Sequence, residues 1–341
     1  MKAAVLYQIG KPLELREVPV PQISKNEVLV ETRACGLCGT DLHLMEGFAY
    51  VPELPHIMGH EPSGIVKAVG SGVEHLRPGD RVVPHLFITC GQCWYCRTGR
   101  ESMCAKLKGI IGVTVNGAFA EFFKAPAENL FKLPDSVPFD EGGLLADAII
   151  TAVHAVYDRA NVKKGSVVAV IGIGGVGQVV VQLLKLIDAK VVSISRSEEK
   201  LTIARQLGSD KVVKAGTKTL KEETREIASD GVDCVIDCVG SDESMEDALA
   251  CVKRCGRIVM IGEERVLFPA DTITVAQHEL ELVGSRNGTR QNMRTSIGLL
   301  RDRKVKPLIS KIFPLNDINK ALESLLIGVP GRVVVRVSQR T

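Results

Sequence analysis

The sequence predicts an α/β chain of two domains, a mostly antiparallel β-barrel joined to a doubly wound parallel sheet. Three observations support this. The 341 residues exceed the length at which a single hydrophobic core usually stops growing. Up to about residue 135, strand-like runs are broken by Gly and Pro. From about Asp140, strands and helices alternate with short connections, a pattern that needs parallel strands joined by right-handed crossovers.

In the first part, Glu27–Thr32 and Ser63–Val69 are β-branched runs bounded by turn residues, and Pro78-Gly79-Asp80 opens a strand at Arg81–Val83. The alternating part reads as strand Val167–Ile171, helix Val176–Ile187, strand Lys190–Ser195 and helix Ser197–Leu207. Strand Lys211–Val213, helix Thr219–Ala228, strand Val232–Asp237, helix Glu243–Val252 and strand Arg257–Ile261 continue it. Helices Thr289–Arg301 and Asn316–Ile327 and a closing strand Val333–Val337 read as a return to the first domain. The boundaries are therefore 1–150, 151–285 and 286–341, with no internal repeat or low-complexity tract.

Lys and Arg number 43 against 40 Asp and Glu, and a dispersed net charge of +3 leaves no electrostatic footprint for nucleic acid. The longest apolar stretches are strand-length or carry charges, so no membrane span is expected. Met1–Tyr7 runs straight into a strand-like segment without an apolar leader, which predicts a cytoplasmic protein.

Ten cysteines in a chain of this size do not read as a disulfide framework. Cys90, Cys93, Cys96 and Cys104 form a C-x2-C-x2-C-x7-C run, which supplies the four thiolates of a closed structural zinc site. Cys234 and Cys238 lie in or beside an apolar strand, and Cys251 and Cys255 lie near a helix end; burial is expected for all four.

The Val167–Ile171 strand leads into Gly172-Ile173-Gly174-Gly175-Val176-Gly177 and an apolar helix. Gly172 permits the tight turn, Gly174 lets the backbone approach a pyrophosphate, and Gly177 lets the helix pack on the strand. Free N–H groups and the helix dipole then favour the phosphates. A second strand ends about twenty residues later, as a dinucleotide site requires. Where an NAD site usually carries an acid, this strand ends Ser195-Arg196. Without a carboxylate there, and with Arg196 able to pair a 2′-phosphate, NADP is expected over NAD.

Cys35-Gly36-Leu37-Cys38-Gly39-Thr40-Asp41-Leu42-His43 and Gly59-His60-Glu61 supply metal-ligand residue types on two further segments. With the cysteine run and the glycine turn, in this order over essentially the whole length, the chain resembles the medium-chain, zinc-dependent alcohol dehydrogenases. The resemblance implies a GroES-like β-barrel catalytic domain, with a structural zinc lobe at about 90–104, and a Rossmann cofactor domain. It makes Cys38 and His60 ligands of a catalytic zinc. Many relatives have a cysteine as third ligand at the position of Asp147, and a carboxylate is also a competent zinc ligand.

By the same resemblance, Asp41 holds the free nitrogen of His60, and Glu61 lies beside the metal and exchanges with substrate or water as a ligand. Thr40 takes the alcohol proton and passes it, through the nicotinamide ribose, to His43 at the surface. Thr151 touches the nicotinamide, Val239 and Ile261 flank the cofactor, and Arg332 reaches its phosphates. Cys35 reads as packing. The implied activity is reversible hydride transfer between an alcohol, a secondary alcohol by preference, and NADP, giving a ketone or aldehyde. Polyols, sugars or a cyclic hydroxyacyl thioester are the other substrate classes, and NAD the other cofactor. Two zinc ions per chain and a homotetramer or dimer are expected, with no nucleic-acid or membrane partner. A zinc-free quinone or enoyl reductase would have no use for Cys38, His60 and the cysteine run together, and a nucleic-acid zinc ribbon lacks its basic patch. Leu86, Phe48 and Trp94 are candidate pocket residues.

Overall fold

The computed structural model describes residues 1–48, 50–216, 220–264 and 272–338. They fall into two compact units: Met1–Ile150 with Gly288–Thr341, and Thr151–Asn287. The chain thus leaves the first unit once and returns to it at Gly288. No helix among the described residues is long and apolar enough to cross a membrane.

In the first unit, among the described residues, seven strands form one sheet in the order Leu130–Lys132, Arg81–Pro84, Glu61–Val69, Glu27–Leu37, Arg332–Arg336, Ile309–Pro314, with Phe122–Pro126 also pairing Glu27–Leu37. The long Glu27–Leu37 strand organises it. Inward Val28, Val30, Thr32 and Ala34 alternate with less buried residues, the period of a half-buried strand. Register shifts at Leu29/Val30 and Thr32/Ala34 mark bulges, which bend and twist a strand. The strand therefore changes partner along its length. Glu27–Glu31 pairs Phe122–Pro126, while Ala34–Leu37 pairs Val333–Arg336, and Glu61–Val69 runs along its other edge. The pairings are antiparallel except for Ile309–Pro314, which runs parallel to Arg332–Arg336.

The second unit carries six parallel strands among its described residues. Their order is Lys211–Lys214, Lys190–Ser195, Val167–Ile171, Val232–Asp237, Val252–Met260, Glu281–Gly284. Numbered within the unit this is 3-2-1-4-5-6, the doubly wound order, whose switch point lies between Val167–Ile171 and Val232–Asp237. Ala169, Ile171, Val192, Ile194, Val235 and Ile258 are buried in one cluster beneath the helices. Each Val or Ile among them contributes roughly 1.5–3 kcal/mol through area removed from water, so the Val/Ile-rich strands are the framework of the unit.

In the later part of the chain, helix Thr272–Gln277 and strands Glu281–Gly284 and Ile309–Pro314 are among the elements that the sequence reading did not name. Both strands are sheet edges, short and partly exposed, so neither has a clean apolar alternation to read. The helix expected from Thr219 starts outside the described residues and is seen from Leu220 to Arg225. Burial was expected for Cys255, and the structure corrects this. The helix ends at Cys251, the next strand starts at Val252, and Cys255 stands exposed at φ +56° on that strand, whose pairing with Val232–Cys234 is irregular.

Candidate active site

The first unit brings one metal-ligand cluster together by strand pairing. Gly36 lies directly across from Glu61, and Cys35 across from Pro62. Cys38 follows the end of the Glu27–Leu37 strand as N-cap of the Gly39–Glu46 helix. The Asp41 carboxylate accepts from the Cys38 backbone N–H at 3.0 Å, which fixes the cap and aims the thiol. Asp147 arrives from a third segment. Leu145–Ile149 is a π-helical turn in which the Ile149 N–H bonds to the Leu144 carbonyl at 3.0 Å. A single π turn of this kind changes the direction of side chains along a helix and is common at functional sites.

The result is compact. Ligand atoms of Cys38, His60, Glu61 and Asp147 all lie within 4.8 Å of one another. Cys38 Sγ is 3.0 Å from His60 Nε2, and Asp147 Oδ2 is 3.8 Å from the same nitrogen. His60 Nδ1 faces Asp41 Oδ1 at 3.3 Å, an ion-pair separation that falls short of hydrogen-bond alignment. Cys38, His60 and Glu61 are buried, whereas the Asp147 side chain keeps 22% exposure and forms the open side of the cluster.

These residues fit a divalent cation. Burial works against a charged His60, yet Cys38, Asp41 and Asp147 outweigh it and lift its pKa well above the ordinary value. So many acidic groups around one buried imidazole are what a cation relieves. Glu61 Oε2 is buried without a hydrogen-bond partner among the described residues. Its place exists because residue 36 is glycine: a Cβ there would overlap Glu61 Oε2. One thiolate, one imidazole and carboxylates suit zinc.

Around this cluster the sequence candidates take definite places. Thr40 and His43 sit three apart on one helix and share a face. His43 was expected at the surface; it is half-buried, its ring edge-on to Phe48 with centroids 4.9 Å apart and its Nδ1 enclosed. Leu86 is buried, whereas Trp94 is exposed and packs with Tyr95 and Arg100. Cys35 is fully buried, and burial pushes its thiol well up, as a packing role requires. Arg332, which the resemblance pointed toward the cofactor phosphates, pairs through Nη2 with Glu61 Oε1 and is itself buried.

The four-cysteine run forms a separate knot. Cys90–Cys104 and Cys93–Cys96 sulfurs are 3.5 Å apart, and Cys90–Cys96 and Cys93–Cys104 are 3.9 Å apart. A tetrahedron with ~2.3 Å Zn–S bonds has edges of ~3.8 Å, whereas a disulfide would need ~2.05 Å. The thiols are free. The Cys96 backbone N–H leads in drawing Cys93 down to about 6, while burial leads in holding Cys96 up at about 12. Four thiols this close cannot ionise together without a cation, and all four positions are filled by sulfur.

In the second unit, Gly172 takes φ +87° at the end of its strand, and Gly174 caps the Gly175–Leu186 helix without any side-chain cap. A Cβ on Gly177 would overlap the Gly172 carbonyl oxygen, so helix and strand touch there backbone to backbone. Gly174 faces open space, where a phosphate can meet the free N–H groups at and after Gly175 and Val176. Ser195, nearly buried, ends the next strand and accepts from the Ser197 N–H at 3.3 Å, leaving Arg196 exposed. Two residues not picked out by the sequence reading belong to this corner. Lys200 is lowered by burial and by Arg196, and Glu243 feels the charge of Arg196 from the first turn of another helix. Only the crossover topology puts Glu243 there. Thr151 is nearly buried at the start of the second unit.

Residues 24–135 match the family described as "Alcohol dehydrogenase GroES-like domain", and residues 175–302 match "Zinc-binding dehydrogenase". The chain is 37% identical over 340 residues to an alcohol dehydrogenase of Geobacillus stearothermophilus, covering 99% of this chain and 100% of the relative. It is 33% identical over 350 residues to a protein of Sulfolobus acidocaldarius named NAD-dependent alcohol dehydrogenase, covering 99% and 100%. The crystal structure of the alcohol dehydrogenase from Aeropyrum pernix superposes with a TM-score of 0.93 at 35% identity, covering 99% of this chain and 100% of that one.

Proposed function

The chain belongs to the medium-chain, zinc-dependent alcohol dehydrogenase family, and we propose that it interconverts a secondary alcohol and its ketone with NADP as hydride carrier. The observation that carries the reading is that a π turn brings Asp147 to Cys38 and His60, with the ligand atoms within 4.8 Å of one another. Asp147 forms an accessible side of this cluster, whereas all four positions of the knot are filled by sulfur, and an open position is what a reacting oxygen needs.

When bound, zinc supplies a Lewis acid for the substrate oxygen, and the nicotinamide supplies or accepts the hydride. The chain's own residues do the rest. Thr40 holds the substrate hydroxyl proton and passes it toward His43 on the same helix face, whose imidazole can accept it. Asp41 fixes His60 and the Cys38 cap together, so the ligands are oriented before substrate arrives. Arg332 neutralises Glu61 and keeps that carboxylate beside the cluster. The glycine turn takes the pyrophosphate, and Arg196, with Lys200 close by, takes the 2′-phosphate. The relative named NAD-dependent and the nearby Glu243 pull toward NAD; Ser195 in place of an acid is the feature that favours NADP.

The test is a panel of secondary alcohols, ketones, polyols and primary alcohols assayed with NADP and with NAD, alongside zinc content. The reading expects the highest kcat/KM for a secondary alcohol with NADP and two zinc ions per chain. A higher kcat/KM with NAD would remove the cofactor assignment, and preferred polyols would remove the substrate class.

A further inference from the structure

Three aspartates of the second unit accept from backbone N–H groups at or beside strand ends, and they divide by position. Asp210 accepts from the Val191 N–H at 2.7 Å and pairs Lys185 at 2.8 Å. Asp233 accepts from the Val167 N–H at 2.7 Å and pairs Lys253. Both brace strand beginnings and have a cation.

Asp237 differs on every count. It ends the Val232–Asp237 strand, at the carboxyl edge and beside the switch point, where such sheets bind ligands. It is fully buried, with no cationic partner among the described residues. Its carboxylate accepts from the N–H of Val239 at 2.8 Å, the N–H of Gly240 at 3.2 Å and the hydroxyl of Ser244 at 2.8 Å. Its backbone carbonyl accepts from the N–H of Ile261 at 2.8 Å and of Gly262 at 3.2 Å. Burial raises its pKa, against the pull of those donors.

The same residue therefore ties down both later cofactor-contact candidates, Val239 by its side chain and Ile261 by its backbone. The tie leads to the phosphate turn, since a Cβ added at Gly172 would lie 2.5 Å from Val239 Cγ2. On the other side, a Cβ on Gly262 would overlap the Val239 carbonyl. Gly172, Val239 and Gly262 thus form one wall packed without slack, and the carboxylate of Asp237 is the group that sets its height.

We propose that Asp237 is a positioning residue for the dinucleotide, acting through the Val239–Gly240 turn; the proposal rests on the dinucleotide reading of the glycine turn. An asparagine has the same shape but one acceptor oxygen and no charge, and its NH2 in the place of Oδ2 faces the Gly240 N–H and the Ser244 hydroxyl. The Gly240 N–H keeps only its Oδ1 bond and loses the charge of its acceptor, and the Ser244 hydroxyl loses its carboxylate partner, so the turn is held less firmly.

The experiment titrates the zinc-loaded enzyme with NADPH and NADH by fluorescence, and measures kcat and cofactor KM, for the wild type, Asp237→Asn, Gly262→Ala and Asp210→Asn. Asp237→Asn is expected to weaken the cofactor about tenfold, from the loss of a charge-assisted hydrogen bond. The loss should appear in cofactor KM and Kd, with kcat at saturating cofactor and zinc content little changed. Gly262→Ala pushes the same turn from the opposite side and should reproduce this pattern, which keeps the test decisive if Asp237→Asn does not fold. Asp210→Asn should lower thermal stability without changing cofactor affinity. Wild-type affinity in Asp237→Asn or Gly262→Ala overturns the proposal, as does equal weakening in Asp210→Asn. A wild type that binds neither NADPH nor NADH overturns the dinucleotide reading itself, a result distinct from failure of the variants alone.

Discussion

Replacing Asp147 by alanine tests the catalytic centre most directly. In the structure its Oδ2 lies 3.8 Å from His60 Nε2, inside a set of four ligand atoms spanning at most 4.8 Å. Glu61 pairs with Arg332 through Oε1, and Asp147 is the carboxylate on the open side of the cluster, with 22% exposure. Loss of an outer hydrogen-bond partner of a metal ligand typically costs 10–100-fold in affinity, and loss of a ligand must exceed the upper figure, about 100-fold or ~2.8 kcal/mol. The variant is dialysed against graded chelator and its zinc counted per chain by mass spectrometry. The wild type should hold two ions and Asp147→Ala one, with turnover lost in step. The ion that stays, in the Cys90–Cys104 knot, shows that the fold survived. Asp147→Cys should restore the second ion, because thiolate is a competent ligand at the same place. If Asp147→Ala kept two zinc ions and wild-type turnover, the assignment of Asp147 as a ligand would be refuted.

Three further outcomes follow from named contacts. Arg196→Ala should raise KM for NADP by about 10–100-fold, the worth of paired charge-assisted bonds to phosphate, and leave NAD kinetics unchanged; equal losses with both cofactors would remove its selective role. Gly177→Ala puts a methyl onto the Gly172 carbonyl and should destabilise the second unit by at least ~1–3 kcal/mol in urea unfolding while abolishing dinucleotide binding. Wild-type binding in that variant would mean that helix and strand need not touch. Cys104→Ser should release the knot's zinc and shorten the half-life of activity at elevated temperature, yet leave initial kcat near wild type; an immediate loss of kcat would give the knot a catalytic part.

Some of this was legible because its signals are local. The strand–glycine turn–helix of Val167–Leu186 lies in one short segment, as do the four cysteines, so spacing alone reports a phosphate turn and a thiolate knot. The Cys38, His60 and Asp147 cluster is another matter. Its members lie on three segments, and only resemblance to a family joined them in advance. Resemblance also pointed Arg332 toward phosphates; in the fold its guanidinium meets Glu61, because the two strands flank Glu27–Leu37. Cys255 misled because a bulge, invisible in composition, turned it out to solvent.

What the sequence determined by itself is the class of each element and the chemistry each short motif can support, since periodicity, turn residues and ligand spacing act over a few residues. Tertiary structure decided which distant groups meet: Asp147 turned onto His60, Arg332 set against Glu61, Glu243 brought near Arg196, and the Asp237 carbonyl bonded to the Ile261 N–H. Those meetings depend on strand order, register and a π turn, which arise from pairing between segments far apart in the chain and leave no mark on any one of them.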